Sequence, residues 1–252
     1  MSINSVDRAL DVIVLLYEEG QELGVSEIAD RLDTHKSTIH RTLITLEGKG
    51  FVKQNPTTEK YWLGMKLYAI GMEVGNKMSL RDVIKPYCDA LHKEFGEVVN
   101  ASILDLSNVE NPQGIIIYKS YDKNQLLIVN PPEGAGSPVY GSSVGKCLLA
   151  FNDIDLNQFK HIPLEKHTDN TIDNWDDLVN NLQEIRINGY AVDDEELEVG
   201  LTCIGAPVLD KNNKAIAAIS LSGPTQRMKS GDFDARIKRV MEVAEEIGKA
   251  FK

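Results

Sequence analysis

Two stretches with helical apolar spacing meet almost without a connection. In SEIADRLD, residues 26–33, Ile28, Ala29 and Leu32 fall on one side of a helix; after Thr34, Ile39, Leu43 and Leu46 do the same. Only about two residues separate the two, and a turn that short makes the helices cross sharply, as in a helix-turn-helix. Ser26 and Thr34 are the expected caps, since a side-chain oxygen there can accept from a first-turn backbone N–H. An earlier helix places Val6, Ala9, Leu10, Ile13, Leu16 and Tyr17 on one stripe and stops before Gly20, so the stripe is expected to be buried.

The third of these helices puts His35, Lys36, Ser37, Thr38, His40 and Arg41 near its exposed N-terminal half, the end from which a recognition helix meets base edges. FVKQ and KYWL around an NPTT turn predict a hairpin, with Pro56 where a strand must already have ended. A hairpin in this place is a wing. Lys53, Thr57, Thr58 and Lys60 along it would reach phosphates, which fix register without reading sequence. The charge pattern agrees. The chain carries a net −11, yet residues 34–66 hold Lys36, Arg41, Lys49, Lys53, Lys60 and Lys66 against only Glu47 and Glu59. Such an island suits a polyanion docked at one place; from charge alone, a solvated helix face is the alternative.

With 252 residues, 42% hydrophobic and 26% charged, the chain is globular and can bury one large core or two modest ones. Its longest early apolar run, VIVLLY at 12–17, is too short for a signal core or a membrane span, so a cytoplasmic location is expected. Cys88, Cys147 and Cys203 are far apart and lack metal-site companions, which predicts buried thiols, no disulfide framework and no metal.

Beyond residue 78, a helix with Leu80, Val83, Ile84, Tyr87 and Leu91 on one side precedes strand-like VVNASILD, GIIIYKSY and QLLIVN, then helical SSVGKCLLAFN. A helix over 174–188 ends at Gly189. YAVDD, LTCIGAPVLD and KAIAAISLSG follow, the last two joined as a hairpin through Asp210–Asn213, and Ile237, Val240, Met241, Ala244, Ile247 and Phe251 mark a final amphipathic helix. This is an α+β, sensor-like pattern. Between the halves, Leu67, Ile70, Met72 and Val74 predict a packed helix rather than a loose linker.

Taken in order, SVDRALDVIVLLYEEG, VSEIADRL, STIHRTLITLEGKGFV and YWLGMKLYAIG resemble the winged-helix domain and linker helix of IclR-family transcriptional regulators. GSSVGKCLLA, GYAVDDEELEVGLTCIGAPVLD and AAISLSGP resemble the family's effector domain. The resemblance covers nearly the whole chain. It implies a winged helix-turn-helix domain over 1–64, a linker helix over 65–78 and a GAF-like α/β effector-binding domain over 79–252. It further implies a double-stranded DNA operator and a small organic acid as partners, no cofactor, and dimers that often pair into tetramers. Carried over by motif, the effector contacts are Ser143 and Val144 at a helix start, Asp193, Cys203, Ser220 and Ser222. Ser143 and Val144 stand where many members have Gly or Ala, which implies a narrower or more polar pocket floor. Ser220 and Ser222, two apart on a strand, point to one face, with ordinary strand hydroxyls as the plainer reading. Asp193 would repel an anion, so it is expected to accept a hydroxyl or N–H proton.

Catalysis is not expected. GSSVGKC has Tyr140 and Cys147 where a phosphate-binding loop needs Gly and Ser or Thr. Its helix start instead offers backbone N–H groups to a carboxylate or phosphate, or small residues for close packing. Ser142 with His161 or His167 lacks a nucleophile elbow, and Asp193–Glu196 reads as an exposed acidic turn. A ligand-responsive regulator, more a repressor than an activator, is the expected function; a small-molecule-binding or interaction protein that leaves DNA alone is the alternative.

Overall fold

The computed structural model describes residues 3–77, 79–108, 111–122 and 131–251; the expected strand QLLIVN lies outside them. The chain divides into two compact units between Ser79 and Leu80.

The first unit is a winged helix-turn-helix. Helices α1 (Asn4–Glu19), α2 (Val25–Arg31) and α3 (Lys36–Gly48) precede a hairpin of β1 (Val52–Gln54) and β2 (Tyr61–Leu63), and α4 (Met65–Lys77) follows. Val12 and Leu16 of α1, Ile28 and Ala29 of α2, Ile39, Leu43 and Leu46 of α3, and Val52 and Tyr61 of the hairpin form one buried cluster. The turn between α2 and α3 holds four residues, Leu32–His35, rather than two. Asp33 turns the chain there with φ 43°, and the Thr34 N–H bonds back to the Ala29 carbonyl. Neither expected cap serves. α2 starts at Gly24, whose N–H donates to Glu27 Oε2 at 2.6 Å, and α3 starts at His35 with no side-chain cap.

α1 departs from the expected stripe. Val12 and Leu16 are fully buried, with Ala9 and Ile13 partly so, whereas Val6, Leu10 and Tyr17 are half-exposed together with Val14. α1 carries apolar residues on two adjacent sides, and only packing against α3 chooses between them. α4 is helical as expected; within the single chain its Leu67 is half-buried while Met65, Tyr68, Ile70 and Met72 are exposed, and the side chain of Val74 lies outside the described residues.

The second unit is an α+β, GAF-like domain. After α5 (Ser79–Phe95) come β3 (Val98–Asp105), β4 (Gln113–Ser120), β5 (Gly136–Pro138), α6 (Ser143–Ala150), α7 (Trp175–Asn188), β6 (Ala191–Asp194), β7 (Leu201–Leu209), β8 (Ala215–Pro224), the one-turn α8 (Thr225–Met228) and α9 (Phe233–Lys249). The six strands run β5-β4-β3-β8-β7-β6, every neighbouring pair antiparallel. Alternation along the strands sends Val99, Ala101, Ile204, Ala206, Ile219 and Leu221 to one side, where α5 and α9 cover them. On the other side α6 and α7 pack over Ala191 and Ala218. Cys88, Cys147 and Cys203 are buried free thiols. No helix among the described residues is long and apolar enough to cross a membrane.

Candidate functional site

On the first unit, His35, Lys36, Ser37, His40 and Arg41 stand exposed, while Thr38 is half-buried. Ile44, one turn beyond His40 and 54% exposed, belongs to the same face. The sequence reading missed Ile44 because its Ile39–Leu43–Leu46 neighbours take the buried side; an apolar residue off that stripe was the available signal. An exposed apolar side chain beside polar ones can meet a thymine methyl in a major groove. Arg41 lines a groove between α1 and α3 with Ser5, Arg8 and Thr45.

The wing is pinned before it meets anything. Asn55 Nδ2 and Thr58 Oγ1 both donate to Glu22 at 2.9 Å. The Asn55 hydrogen bond, with that of Thr58, holds the Glu22 carboxyl below its ordinary range. Lys60 is half-buried and pairs with Glu27 at 3.0 Å, whereas Lys53 stands exposed on β1. Of the two wing lysines, Lys53 is the one displayed to solvent.

On the second unit, strand register gathers residues that are distant in sequence. Asp193 lies opposite Cys203, Cys203 opposite Ser222, and Ser222 opposite Val98. Ser220 sits in the adjacent row opposite Gly205, and its hydroxyl is 3.2 Å from that of Ser222. Asp193, Cys203, Ser220 and Ser222 are all buried. α6 begins over this patch: Ser142 Oγ accepts the Gly145 N–H at 3.1 Å and donates to the Pro138 carbonyl at 2.9 Å. A Cβ on Gly205 would stand 2.8 Å from the Ser143 carbonyl carbon, so only glycine lets the helix start come this close. Ser143 thus joins the polar rows, whereas Val144 packs in the apolar layer with Val139 and Leu148. Backbone N–H groups at a helix start beside hydroxyls and a carboxyl make a buried polar cradle, and such N–H groups can hold a small anion.

Beneath the cradle is a buried ion pair that the sequence reading did not find. Lys146 of α6, 1% exposed, donates to Glu196 and, at 2.8 Å, to the Val192 carbonyl. Glu196 N–H in turn donates to Asp193 Oδ1 at 2.8 Å. The expected exposed turn at 193–196 is therefore half wrong. Asp193 and Glu196 are buried; Asp194 pairs with Lys229 at 2.7 Å, and Glu195 accepts the Gly200 N–H at 2.8 Å. A lysine in a short helix whose other residues are small or apolar was the signal available in SVGKCLLA.

Burial pushes the Asp193 carboxyl up to about 7, against the pull of the Glu196 N–H, and it also raises that of Glu196. A carboxyl raised above its unfolded value favours the folded state fully below the unfolded pKa of about 4, and the benefit is lost as pH rises through the folded pKa. Chemical denaturation should find the second unit less stable at pH 8 than at pH 5 by on the order of 2–4 kcal/mol from this group. Asp193→Asn should flatten that slope; an unchanged slope would assign it elsewhere.

A winged DNA-binding unit followed by a sheet with a buried polar cradle defines a ligand-responsive transcriptional regulator. Two family models match: the IclR helix-turn-helix domain over residues 5–56 and the bacterial transcriptional regulator IclR C-terminal over residues 72–249. The regulator BhcR of Paracoccus denitrificans is 33% identical over 247 residues, covering 97% of this chain and 86% of that protein. XynR of Escherichia coli is 32% identical over 250 residues, covering 98% and 95%. The crystal structure of Thermotoga maritima IclR superposes with a TM-score of 0.74 at 28% identity, over 99% of each chain. The chain belongs to the IclR family of transcriptional regulators, with an N-terminal helix-turn-helix DNA-binding domain and a C-terminal ligand-binding domain.

Proposed function

We propose that the protein is a cytoplasmic repressor, without catalytic activity, that binds a palindromic operator as a dimer and changes its hold on DNA when a small organic acid enters the second unit. The observation that carries the reading is the solvent-facing N-terminal half of α3, with Lys36, Ser37, His40 and Arg41 displayed beside a pinned wing. Residues 1–64 serve as the DNA-binding domain, 65–78 as the linker helix and 79–252 as the effector domain. On this reading His35, Lys36, Ser37, Thr38, His40 and Arg41 meet the major groove, while Lys53, with Lys60 in a lesser part, meets phosphates. The apolar faces left open on α1, at Val6, Leu10 and Tyr17, and on α4, at Met65, Tyr68 and Ile70, take a second copy of the chain. Two-fold symmetry then matches two half-sites, and a pair of dimers makes the tetramer.

In the second unit the acid's carboxylate rests at the α6 start against Ser143 and Val144, with Asp193, Cys203, Ser220 and Ser222 around the rest of it. Selection of genomic fragments by the purified protein, with and without a panel of organic acids, should yield a palindromic motif whose retention one acid changes; no enriched sequence at low salt would sink the proposal. Two substitutions separate the units. Arg41→Ala should weaken binding to the selected fragment by about 5–150-fold and leave the acid's affinity unchanged. Ser222→Ala should weaken the acid by about 3–10-fold and leave binding to DNA intact without it.

A further inference from the structure

Strand β3 carries two polar side chains outside the set just described. Val99, Ala101 and Ile103 face α5 and α9, so Asn100 and Ser102, alternating with them, face the side where α6 lies. Asn100 is register-paired with Ser220 on β8 and with Lys119 on β4, and Ser102 with Ala218. The row Lys119–Asn100–Ser220–Gly205 therefore runs directly beside the row Val98–Ser222–Cys203–Asp193. Asn100 Oδ1 and Ser102 Oγ are buried without a hydrogen-bond partner, and Ser102 is 0% exposed. Native interiors seldom leave such atoms unmatched, and here two occur on one face of one strand, Asn100 in the row beside the cradle and Ser102 one row beyond it, opposite Ala218.

Their chemistry states what would satisfy them. An amide oxygen only accepts, so Asn100 Oδ1 requires a donor, and a serine hydroxyl is matched by any group that both gives and takes. A carboxylate offers no donor, and an alkyl or aryl carbon neither gives nor takes. A ligand hydroxyl does both. We infer that Asn100 and Ser102 are specificity residues that read hydroxyl groups, and that the effector is a hydroxy acid whose carboxylate sits at the α6 start and whose hydroxylated carbons lie over β8 and β3. The inference rests on the proposed effector site and adds to it the class of acid and two residues on a strand that site does not use.

The test titrates the full-length protein with matched acids: glycolate and acetate, lactate and propionate, threonate and butyrate, gluconate and hexanoate, 4-hydroxybenzoate and benzoate. At least one hydroxy acid should bind about ten-fold or more tighter than its deoxy partner, because a site built around a hydroxyl strongly rejects the analogue lacking it. Asn100→Leu should remove most of that preference while changing the deoxy partner's affinity less than about two-fold. Ser102→Ala, which deletes a single oxygen, gives the same comparison if the leucine variant fails to fold. Deoxy acids that bind as tightly as their partners, with Ser222→Ala still weakening them, would overturn the inference alone. A hydroxyl preference untouched by either variant would remove both residues from it. No binding by any acid of either series would overturn the inference, and the effector site would fall with it only if the wider panel of organic acids also fails to bind.

Discussion

Replacing Lys146 by Met should lower the unfolding free energy of the C-terminal unit by about 3–5 kcal/mol, the cost of leaving a buried charge without its partner. The ammonium of Lys146 is enclosed between α6 and the β6–β7 connection, where it donates to Glu196 and to the Val192 carbonyl. Methionine fills nearly the same volume, so packing is spared and the loss falls on Glu196. That carboxyl is raised by burial even with its lysine present, and Oε2 has no hydrogen-bond partner. Without Lys146 it would bind a proton more readily in the folded state. The deficit should therefore be smaller at pH 5 and grow as pH rises through the folded pKa. Urea denaturation at both pH values, together with the double variant Lys146→Met, Glu196→Leu, checks the account. The double variant should recover much of the loss, since replacing both ends by apolar groups is often neutral. An equal loss at the two pH values, with no recovery, would mean that the helix depends on the lysine stem and not on the pair.

Gly205→Ala should act differently, on packing and on the acid's site together. The added Cβ would lie 2.8 Å from the Ser143 carbonyl carbon and 2.9 Å from its oxygen, closer than atoms of a well-packed core tolerate. Those are backbone atoms of a helix anchored by Ser142 and Lys146, so the clash is relieved by lifting the first turn of α6 from β7. Overpacking of this kind costs about 1–3 kcal/mol. The lifted turn carries the N–H groups proposed to hold the acid, so affinity for it should fall more than about ten-fold while binding to DNA without the acid persists. A variant that keeps its affinity for the acid would place the carboxylate somewhere other than this helix start.

The parts of the molecule that were legible in the sequence are those specified by neighbours along the chain. Ile28, Ala29, Ile39, Leu43 and Leu46 announce two helices by spacing alone, and the buried cluster contains all five. VVNASILD, LTCIGAPVLD and KAIAAISLSG likewise read as strands over nearly the observed ranges. What spacing leaves open is which of several apolar faces the core takes, hence the exposure of Val6, Leu10 and Tyr17. Caps were misplaced by one or two residues, because a glycine N–H held by Glu27 competes with a serine hydroxyl two positions on. β5, with three residues, is too short for any period to show. In the candidate site, Ser220 and Ser222 were visible as a same-face pair. The row that joins Ser222 to Cys203 and Asp193 was not, since register is set by three strands at once. Lys146 and Glu196 lie fifty positions apart, and neither looks buried until the other is beside it.

The ion pair between Lys60 and Glu27 changes how the wing's charge should be counted. Each phosphate a protein neutralises releases condensed counterions, and the salt dependence of binding records about 0.9 of an ion per phosphate on duplex DNA. Lys60 already has a carboxylate at 3.0 Å, so a phosphate arriving there must share the ammonium or displace Glu27, with little net release either way. On the proposed contact set, the steepness of the salt response would be set by Lys36, Arg41 and Lys53, displayed without such a neighbour among the described residues. A basic island counted as six in the sequence would weigh on the ionic atmosphere as a smaller number, and the hairpin would act through the surface it presents more than through the charge it carries.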